Sequence, residues 1–394
     1  MATENDPCAD QRVVSGPRDL CGFAASGGGF RAALFHVGAL RRINELGWLS
    51  RIDRFSGASG GSITLGALAH AWPRLRFVEG RATNFEELVE RPLLEFTTRR
   101  IDMWAALWGL IPGLRSGDWL IRAYRSIVGG GALADLPERP QFTFNASSLQ
   151  TGVVVRFTRA YVRDYRAGCL PFPRIEVAVA VAASSSFPPY LSPFVLEIPG
   201  DGLRGGESPL AQDDYRRRMV LTDGGVYDNL ALQTLQSFRT VIASDAGSPG
   251  KVDPRPRALL PQQLLRVLTI TNEQTRALRR SALVRDFQSG ARHGALWTIK
   301  TDIGRYPRPL GNPLLAVHPS QIARLAMVPT RLWPFSPDLR RALVNWGYAL
   351  ADAGLRVRLG ATGPVPTWPY PDAALERPVR AGPAASTIDE LDEP

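Results

Sequence analysis

The sequence predicts an α/β fold, a three-layer and mainly parallel sheet with helices on both faces and one helical insertion. Three observations lead there. Residues 20–70 alternate short apolar runs with helix-period stretches across glycine turns. Further apolar runs return downstream, two of them ending in aspartates. The 394 residues, 44% of them hydrophobic, are enough to bury a sizeable core.

Taken in order, residues 20–25 form an apolar run that reads as a strand. Ser26-Gly27-Gly28-Gly29 turns the chain, and Leu34, Val37, Leu40 and Ile43 then recur on one face of a helix. Gly47 reads as that helix's C-cap and residues 52–55 as a second strand. Gly57-Ala58-Ser59-Gly60-Gly61 then opens a small-residue helix running to about His70. Residues 72–140 lose this rhythm and read as a helical insertion. Its apolar stretch from Met103 to Pro112 falls short of the roughly 20 residues a membrane span needs, so it packs on the core or covers an apolar cleft. Trp104 and Trp108 there suit a core, a lid or a bilayer contact.

Strand-like runs follow at 141–145, 153–161, 219–222 and 240–244. The last two lead into Asp223 and Asp245, at the strand ends where open α/β sheets bind ligands. Residues 175–181 alternate as a strand would. Gly-rich, charged loops occupy 200–218 and 247–257, and helices are expected at 262–288 and 337–355. The predicted organisation is an N-terminal tail at 1–15, one domain at 16–378 containing the insertion, and a disordered tail at 379–394 whose Pro, Ala and acidic residues show no periodicity.

Lys+Arg number 47 against 37 Asp+Glu, giving +10, and only Lys251 and Lys300 are lysines. Arginine surplus suits an anionic membrane surface or nucleic acid, and base composition of a genome produces it equally well. No basic-aromatic groove motif supports a nucleic-acid partner. The three cysteines, Cys8, Cys21 and Cys169, show no metal spacing, and an odd number argues against a disulfide framework, so a reducing, cytoplasmic setting is expected. Residues 1–12 are polar, without the apolar core of a Sec-type signal peptide.

Three motifs carry chemistry. Gly57-Ala58-Ser59-Gly60-Gly61 matches G-x-S-x-G between strand and helix, where a strained turn exposes a serine hydroxyl; small-residue turns also arise for packing. Gly27-Gly28-Gly29-Phe30-Arg31 begins a helix, so its N–H groups can hold an oxyanion or a phosphate. The same stretch, read as Gly27, Gly29 and Ala32, matches the dinucleotide pattern G-x-G-x-x-A, but Asp53 comes too early to hold a ribose. Asp223-Gly224-Gly225 puts a carboxylate at a sharp turn; ordinary Asp-Gly turns look the same. A Ser-His-Asp triad would draw on His36, His70, His293 or His318. His36 and His70 sit on predicted helices, and an α/β-hydrolase would place its nucleophile after more strands than precede Ser59.

Together these motifs, with Ala182-Ala183-Ser184-Ser185-Ser186-Phe187-Pro188-Pro189 and Asp223-Gly224-Gly225-Val226-Tyr227-Asp228-Asn229, resemble the patatin-like phospholipases. Residues 26–32 are also similar to the catalytic domain of cytosolic phospholipase A2. The resemblance implies a helix, not a strand, leading into the proline block. It implies a serine lipid acyl hydrolase with Ser59 as nucleophile, Asp223 as base, and Gly27, Gly28 and Gly29 as the oxyanion hole, with Gly60 beside the substrate. Arg31 would bind lipid phosphate or assist the oxyanion; the alternative is a helix-surface arginine. The substrate would be a phospholipid, lysophospholipid or other fatty-acyl ester met at a peripheral membrane surface, with no metal or cofactor. A carboxylesterase or acyltransferase on the same dyad, or a silent lipid-binding module, are the competing readings.

Overall fold

The computed structural model describes Cys8 and residues 18–109, 115–210, 212–248, 250, 252–256, 259–307 and 313–379. Apart from Cys8 and Val379, both expected tails lie outside the described residues, as do residues 110–112 of the insertion and the side chain of Trp108.

The chain opens as β1 (Arg18–Ala25), α1 (Gly29–Glu45), β2 (Arg54–Ala58) and α2 (Gly60–Ala71). The insertion holds a small hairpin of β3 (Phe77–Val78) and β4 (Arg81–Ala82), then α3 (Arg91–Phe96), α4 (Ile101–Gly109) and α5 (Ser116–Val128). Next come β5 (Gln141–Ser148), β6 (Val154–Phe157), β7 (Tyr161–Asp164), β8 (Gly168–Pro171), α6 (Val177–Ser184) and β9 (Phe194–Glu197). The chain then continues through α7 (Asp213–Arg216), β10 (Arg218–Asp223), α8 (Gly225–Asp228), β11 (Phe238–Asp245) and α9 (Leu260–Gln288). It closes with β12 (His293–Thr298), α10 (Pro319–Ala326) and α11 (Pro337–Leu359).

The expected α/β class is what the chain adopts. Strands β12, β11, β1, β2 and β5 lie side by side and parallel, and β6, β7 and β8 extend the sheet as an antiparallel meander. Side chains alternate across the pleat: Phe23, Ala25 and Ile242 join the core under α1, α2 and α11, while Ala24, Val241 and Ala243 join a second core with Leu283 of α9. Both faces of the sheet are therefore covered, as a parallel sheet requires. α1 and α11 touch backbone to backbone, because a Cβ at Gly38 would fall 1.9 Å from the Val344 carbonyl oxygen and one at Gly347 1.8 Å from that of Phe35. A buried pair, Arg42 with Asp352 at 2.7 Å, locks the same helices together.

β10 brings two candidate residues together. β2 pairs with β5 up to Ala58 opposite Asn145, and β10 pairs antiparallel with β5 from Ser148 down to Asp223 opposite Ala146. Asn145 and Ala146 both pair with β6 on the other edge of β5, so β2 and β10 share one edge. The two strands thus meet nearly end to end, with Ser59 following one and Asp223 finishing the other.

Several expectations need correction. Residues 175–181 contribute to a helix, α6, as the resemblance implied. The Val-Ala alternation there is one of size, not polarity, and a segment buried on nearly every side satisfies its backbone best as a helix. The run 153–161 is two strands, β6 and β7, and β12 was not anticipated, its short His-Gly-Ala start offering little strand signal. The loop expected at 200–218 contains α7, and α1 ends at Glu45, with Leu46 as its cap, just ahead of Gly47. Cys8 and Cys169 form a disulfide, which leaves Cys21 free. The fold joins cysteines 161 residues apart, which sequence spacing does not reveal, and the cysteine count no longer supports a reducing compartment.

Candidate active site

Ser59 stands where β2 breaks into α2, with φ 50° and ψ −121°, a conformation costly for a residue bearing a Cβ. Its N–H donates to the Ser184 carbonyl at 3.2 Å and to the Ser184 hydroxyl at 3.1 Å. The side chain is half-buried and so reachable from solvent. Only glycine fits at position 60, where a Cβ would lie 2.2 Å from the Gly29 carbonyl oxygen. That contact presses the serine turn against the 27–29 turn.

Asp223 is fully buried at the facing strand end. Its N–H donates to the Ser186 carbonyl, its carbonyl accepts from the Ser147 hydroxyl, and its Oδ1 accepts the Gly225 N–H at 2.7 Å. Gly224 donates to the Ser184 carbonyl, the same oxygen that receives Ser59, so α6 holds both reactive residues by one residue. Burial pushes the Asp223 carboxyl up to about 6, while the Ser59 hydroxyl and the Gly225 N–H pull it back down. Oδ2 is buried without a hydrogen-bond partner, and the Ser59 hydroxyl acts on the same carboxyl. A buried, unsatisfied carboxylate oxygen beside a serine is an arrangement suited to a general base.

The expected oxyanion residues divide. The Gly27 N–H donates to the Asn229 carbonyl at 3.0 Å and is not available to a ligand, which corrects its assignment. Among the described residues the N–H groups of Gly28 and Gly29 make no hydrogen bond, and Gly28 reaches its position through φ 145°, open to glycine alone. They stand at the N-terminus of α1, where the helix dipole favours an anion.

Arg31 is also corrected. It is neither a surface arginine nor open to a lipid phosphate, being fully buried. Its NH1 donates to the carbonyls of Ala326 and Val328, and its NH2 to that of Ala246 and the Ser248 hydroxyl. It is a clamp between α1 and the segments behind the glycine turn. Asp245 is likewise occupied: its Oδ1 accepts the Gly247 N–H and its Oδ2 faces Arg276 and Arg280.

Among the described residues no histidine is hydrogen-bonded to Ser59 or Asp223. His36 is buried, with Nε2 2.9 Å from the Ser26 carbonyl, to which it must donate, and Nδ1 2.9 Å from the Ser244 hydroxyl. Burial holds it neutral, its pKa down at about 4. His70 packs near Gly129, and His318 caps α10. His293 starts β12 at the opposite end of the sheet, about six residues or roughly 20 Å along the strand direction from the level of Ser59.

Sequence reasoning missed Ser184 as the common anchor, although its block was part of the resemblance. It also missed Asn229, whose Oδ1 lies 2.3 Å from where a Gly27 Cβ would be, with the Ser59 Cβ 3.1 Å from the same point. A cavity of about 650 Å³ opens between Val252, Lys300, Ile322 and Met327. Neither Ser59 nor Asp223 lines it.

Residues 23–235 match the model of the patatin-like phospholipases. The chain belongs to this family. The family is one of lipid acyl hydrolases, and the matched span contains both Ser59 and Asp223. No curated protein sequence matches the chain. Among solved structures, human GIVD cytosolic phospholipase A2 is similar at 13% identity, with 86% of this chain and 61% of that chain covered and a TM-score of 0.48. VipD from Legionella pneumophila is similar at 13% identity over 86% and 67%, with a TM-score of 0.34. The SpcU–ExoU complex of Pseudomonas aeruginosa matches at 20% identity over 45% and 40%, with a TM-score of 0.26. This chain spans about three fifths of the human protein's length, the coverage being 61%. Among the described residues no helix is long and apolar enough to cross a membrane.

Proposed function

We propose that this patatin-like protein hydrolyses fatty-acyl esters of phospholipids or lysophospholipids through a Ser59–Asp223 dyad. The observation that carries the reading is the meeting of a half-exposed serine in a strained turn with a buried carboxyl whose pKa stands at about 6. At neutral pH that carboxyl is mostly ionised yet far more basic than an ordinary aspartate, the compromise a general base needs.

Asp223 takes the Ser59 proton as the Ser59 oxygen forms a bond to the ester carbonyl carbon. The carbonyl π electrons move to oxygen, which the Gly28 and Gly29 N–H groups receive; each such donor is worth about 3–4 kcal/mol in known cases. The tetrahedral intermediate collapses, the C–O bond to the alcohol breaks, and Asp223 returns the proton to the leaving oxygen. Water then attacks the acyl-serine, Asp223 accepting and returning a proton again, and free fatty acid leaves. Arg31 acts only through position, holding α1 so that Gly28 and Gly29 point at the reacting oxygen.

The test is fatty-acid release from mixed phospholipid vesicles by the unsubstituted protein, Ser59→Ala and Asp223→Ala, each verified as folded. Release abolished in both variants supports the dyad. Equal release in all three removes these residues from catalysis. Hydrolysis of very short esters as fast as long-chain lipids would favour a general carboxylesterase.

A further inference from the structure

α9 is built inside out. Its 29 residues extend roughly 43 Å. Its later turns are docked: Leu283 is buried in the core beneath the sheet, and Arg276 and Arg279 reach Asp245 and Asp228 at the end of the sheet that carries the dyad. From Arg276 back to Leu260 the helix continues for about four turns beyond that level. There Leu260 (67% exposed), Leu264 (61%), Val267 (59%) and Ile270 (51%) form a stripe on the side away from the protein. A surface helix ordinarily turns its apolar stripe inward; this one turns it outward.

Topology says which side of the molecule it serves. β11 ends at the dyad's edge of the sheet and β12 begins at the opposite edge, so the first half of α9 rises from the edge where Ser59 opens. Val252 in the loop before α9, Met327 behind Arg31 and Phe187 beside Asp223's anchor Ser186 are exposed at the same edge. These exposed apolar residues share the end of the sheet that carries Ser59. Between Leu260 and Asn272 the only charged residue is Arg266. Around it at this edge, Arg255, Lys300 and Arg331 are exposed and outnumber Asp253 and Asp302.

We propose that the first half of α9 is the element that docks this protein on an anionic phospholipid bilayer, with its apolar stripe in the acyl boundary and the arginines and Lys300 at the headgroups. An apolar helix segment whose single charge is Arg266, flanked by further cations, fits an interface whose interior is hydrocarbon and whose surface is negative. The choice of a bilayer rests on the lipid acyl hydrolase reading; the exposed helix itself does not. Docking there presents the serine turn directly to lipid.

The test separates binding from hydrolysis. Ser59→Ala protein, with and without Leu264→Asp, Val267→Asp and Ile270→Asp together, is sedimented with vesicles of phosphatidylcholine alone or mixed with phosphatidylglycerol. The parent should prefer the anionic vesicles, and the triple substitution should weaken that binding at least about tenfold. Because the three side chains face solvent, the same substitutions on the Ser59 protein should leave hydrolysis of a short, water-soluble ester unchanged, which also verifies folding. Undiminished vesicle binding by the triple variant overturns the proposal. So does a parent that binds neither vesicle, or a dimer that the substitutions convert to monomer, since a second copy would then be the occupant. If the Ser59 protein hydrolyses no ester while vesicle binding depends on α9, the hydrolase reading fails and the docking surface stands.

Discussion

Replacing Asp223 by asparagine should abolish activity and stabilise the protein, and the second effect can be worked out from the structure. The carboxyl's pKa moves from 3.8 to about 6 on folding because the group is fully buried. About two units at ~1.36 kcal/mol each is about 3 kcal/mol. The folded state holds this proton more tightly than the unfolded state does. Below about pH 4 both states are protonated and the group costs nothing. As pH rises to about 6 the unfolded chain ionises first and stability falls, and above that the full cost of about 3 kcal/mol persists. Asparagine cannot ionise and keeps an oxygen for the Gly225 N–H. Urea unfolding followed by tryptophan fluorescence should find Asp223→Asn more stable by up to about 3 kcal/mol near pH 8, with the gap closing toward about pH 4. A variant less stable than the parent at pH 8, or a gap that does not change with pH, would refute the assignment of a buried, raised carboxyl. In the parent, kcat/KM should fall tenfold per pH unit below about 6, where the base becomes protonated.

Other outcomes follow from the same contacts. Ser184→Ala removes the hydroxyl that binds the Asn145 carbonyl at 2.6 Å and receives the Ser59 N–H; stability should drop by about 1–3 kcal/mol and kcat should fall with little change in KM, as steady-state kinetics on a soluble ester would reveal. Arg31→Lys cannot supply four donors to two sides of the clamp, so thermal melting should shift downward while KM for phospholipid in the folded fraction stays the same; a KM rise alone would restore Arg31 to substrate binding. His293→Ala and His318→Ala should each leave kcat/KM within about twofold, since neither histidine has a role in proton transfer. Loss of activity in either would reopen a histidine-dependent mechanism.

The sheet and the strained turn at Ser59 were legible because their signals are local: apolar runs, helix periodicity and glycines at sharp turns all act over a few residues. The turn at Ser59 and the strand end at Asp223 could be located for the same reason. Arg31 was misjudged because nothing near it in sequence reveals that Ala246, Ala326 and Val328 converge on its guanidinium from far along the chain. Gly27 was misassigned on similar grounds, its N–H being spent on Asn229, roughly two hundred residues distant. The Cys8–Cys169 bond is another long-range fact. α6 failed for a different reason: Val-Ala alternation imitates a strand's period without its change of polarity. Local patterns predict elements, whereas the partners of a buried polar group are set by tertiary structure.

Under the proposed dyad, the direction of β10 accounts for a serine that works without a histidine. In a Ser-His-Asp triad the imidazole bridges a carboxylate and a hydroxyl that stand too far apart to exchange a proton. Here β5 serves as a common ruler: Ala58 is registered on Asn145 and Asp223 on Ala146, so the two strand ends that carry the reactive groups face each other across one residue step. Were β10 parallel to β5, its first residue rather than its last would meet the serine turn, and the Asp-Gly turn would leave from the far end of the strand. Antiparallel pairing thus replaces the bridging imidazole with adjacency. It also leaves the base's strength to be set by its surroundings, because an exposed aspartate is too weak to draw a proton from serine. Burial raises the carboxyl to about 6, and the stability lost above that pH is the thermodynamic counterpart of its basicity. A substitution that admits water to Asp223 without touching it should therefore move both quantities together, lowering the acid limb of kcat/KM and narrowing the stability gap to Asp223→Asn.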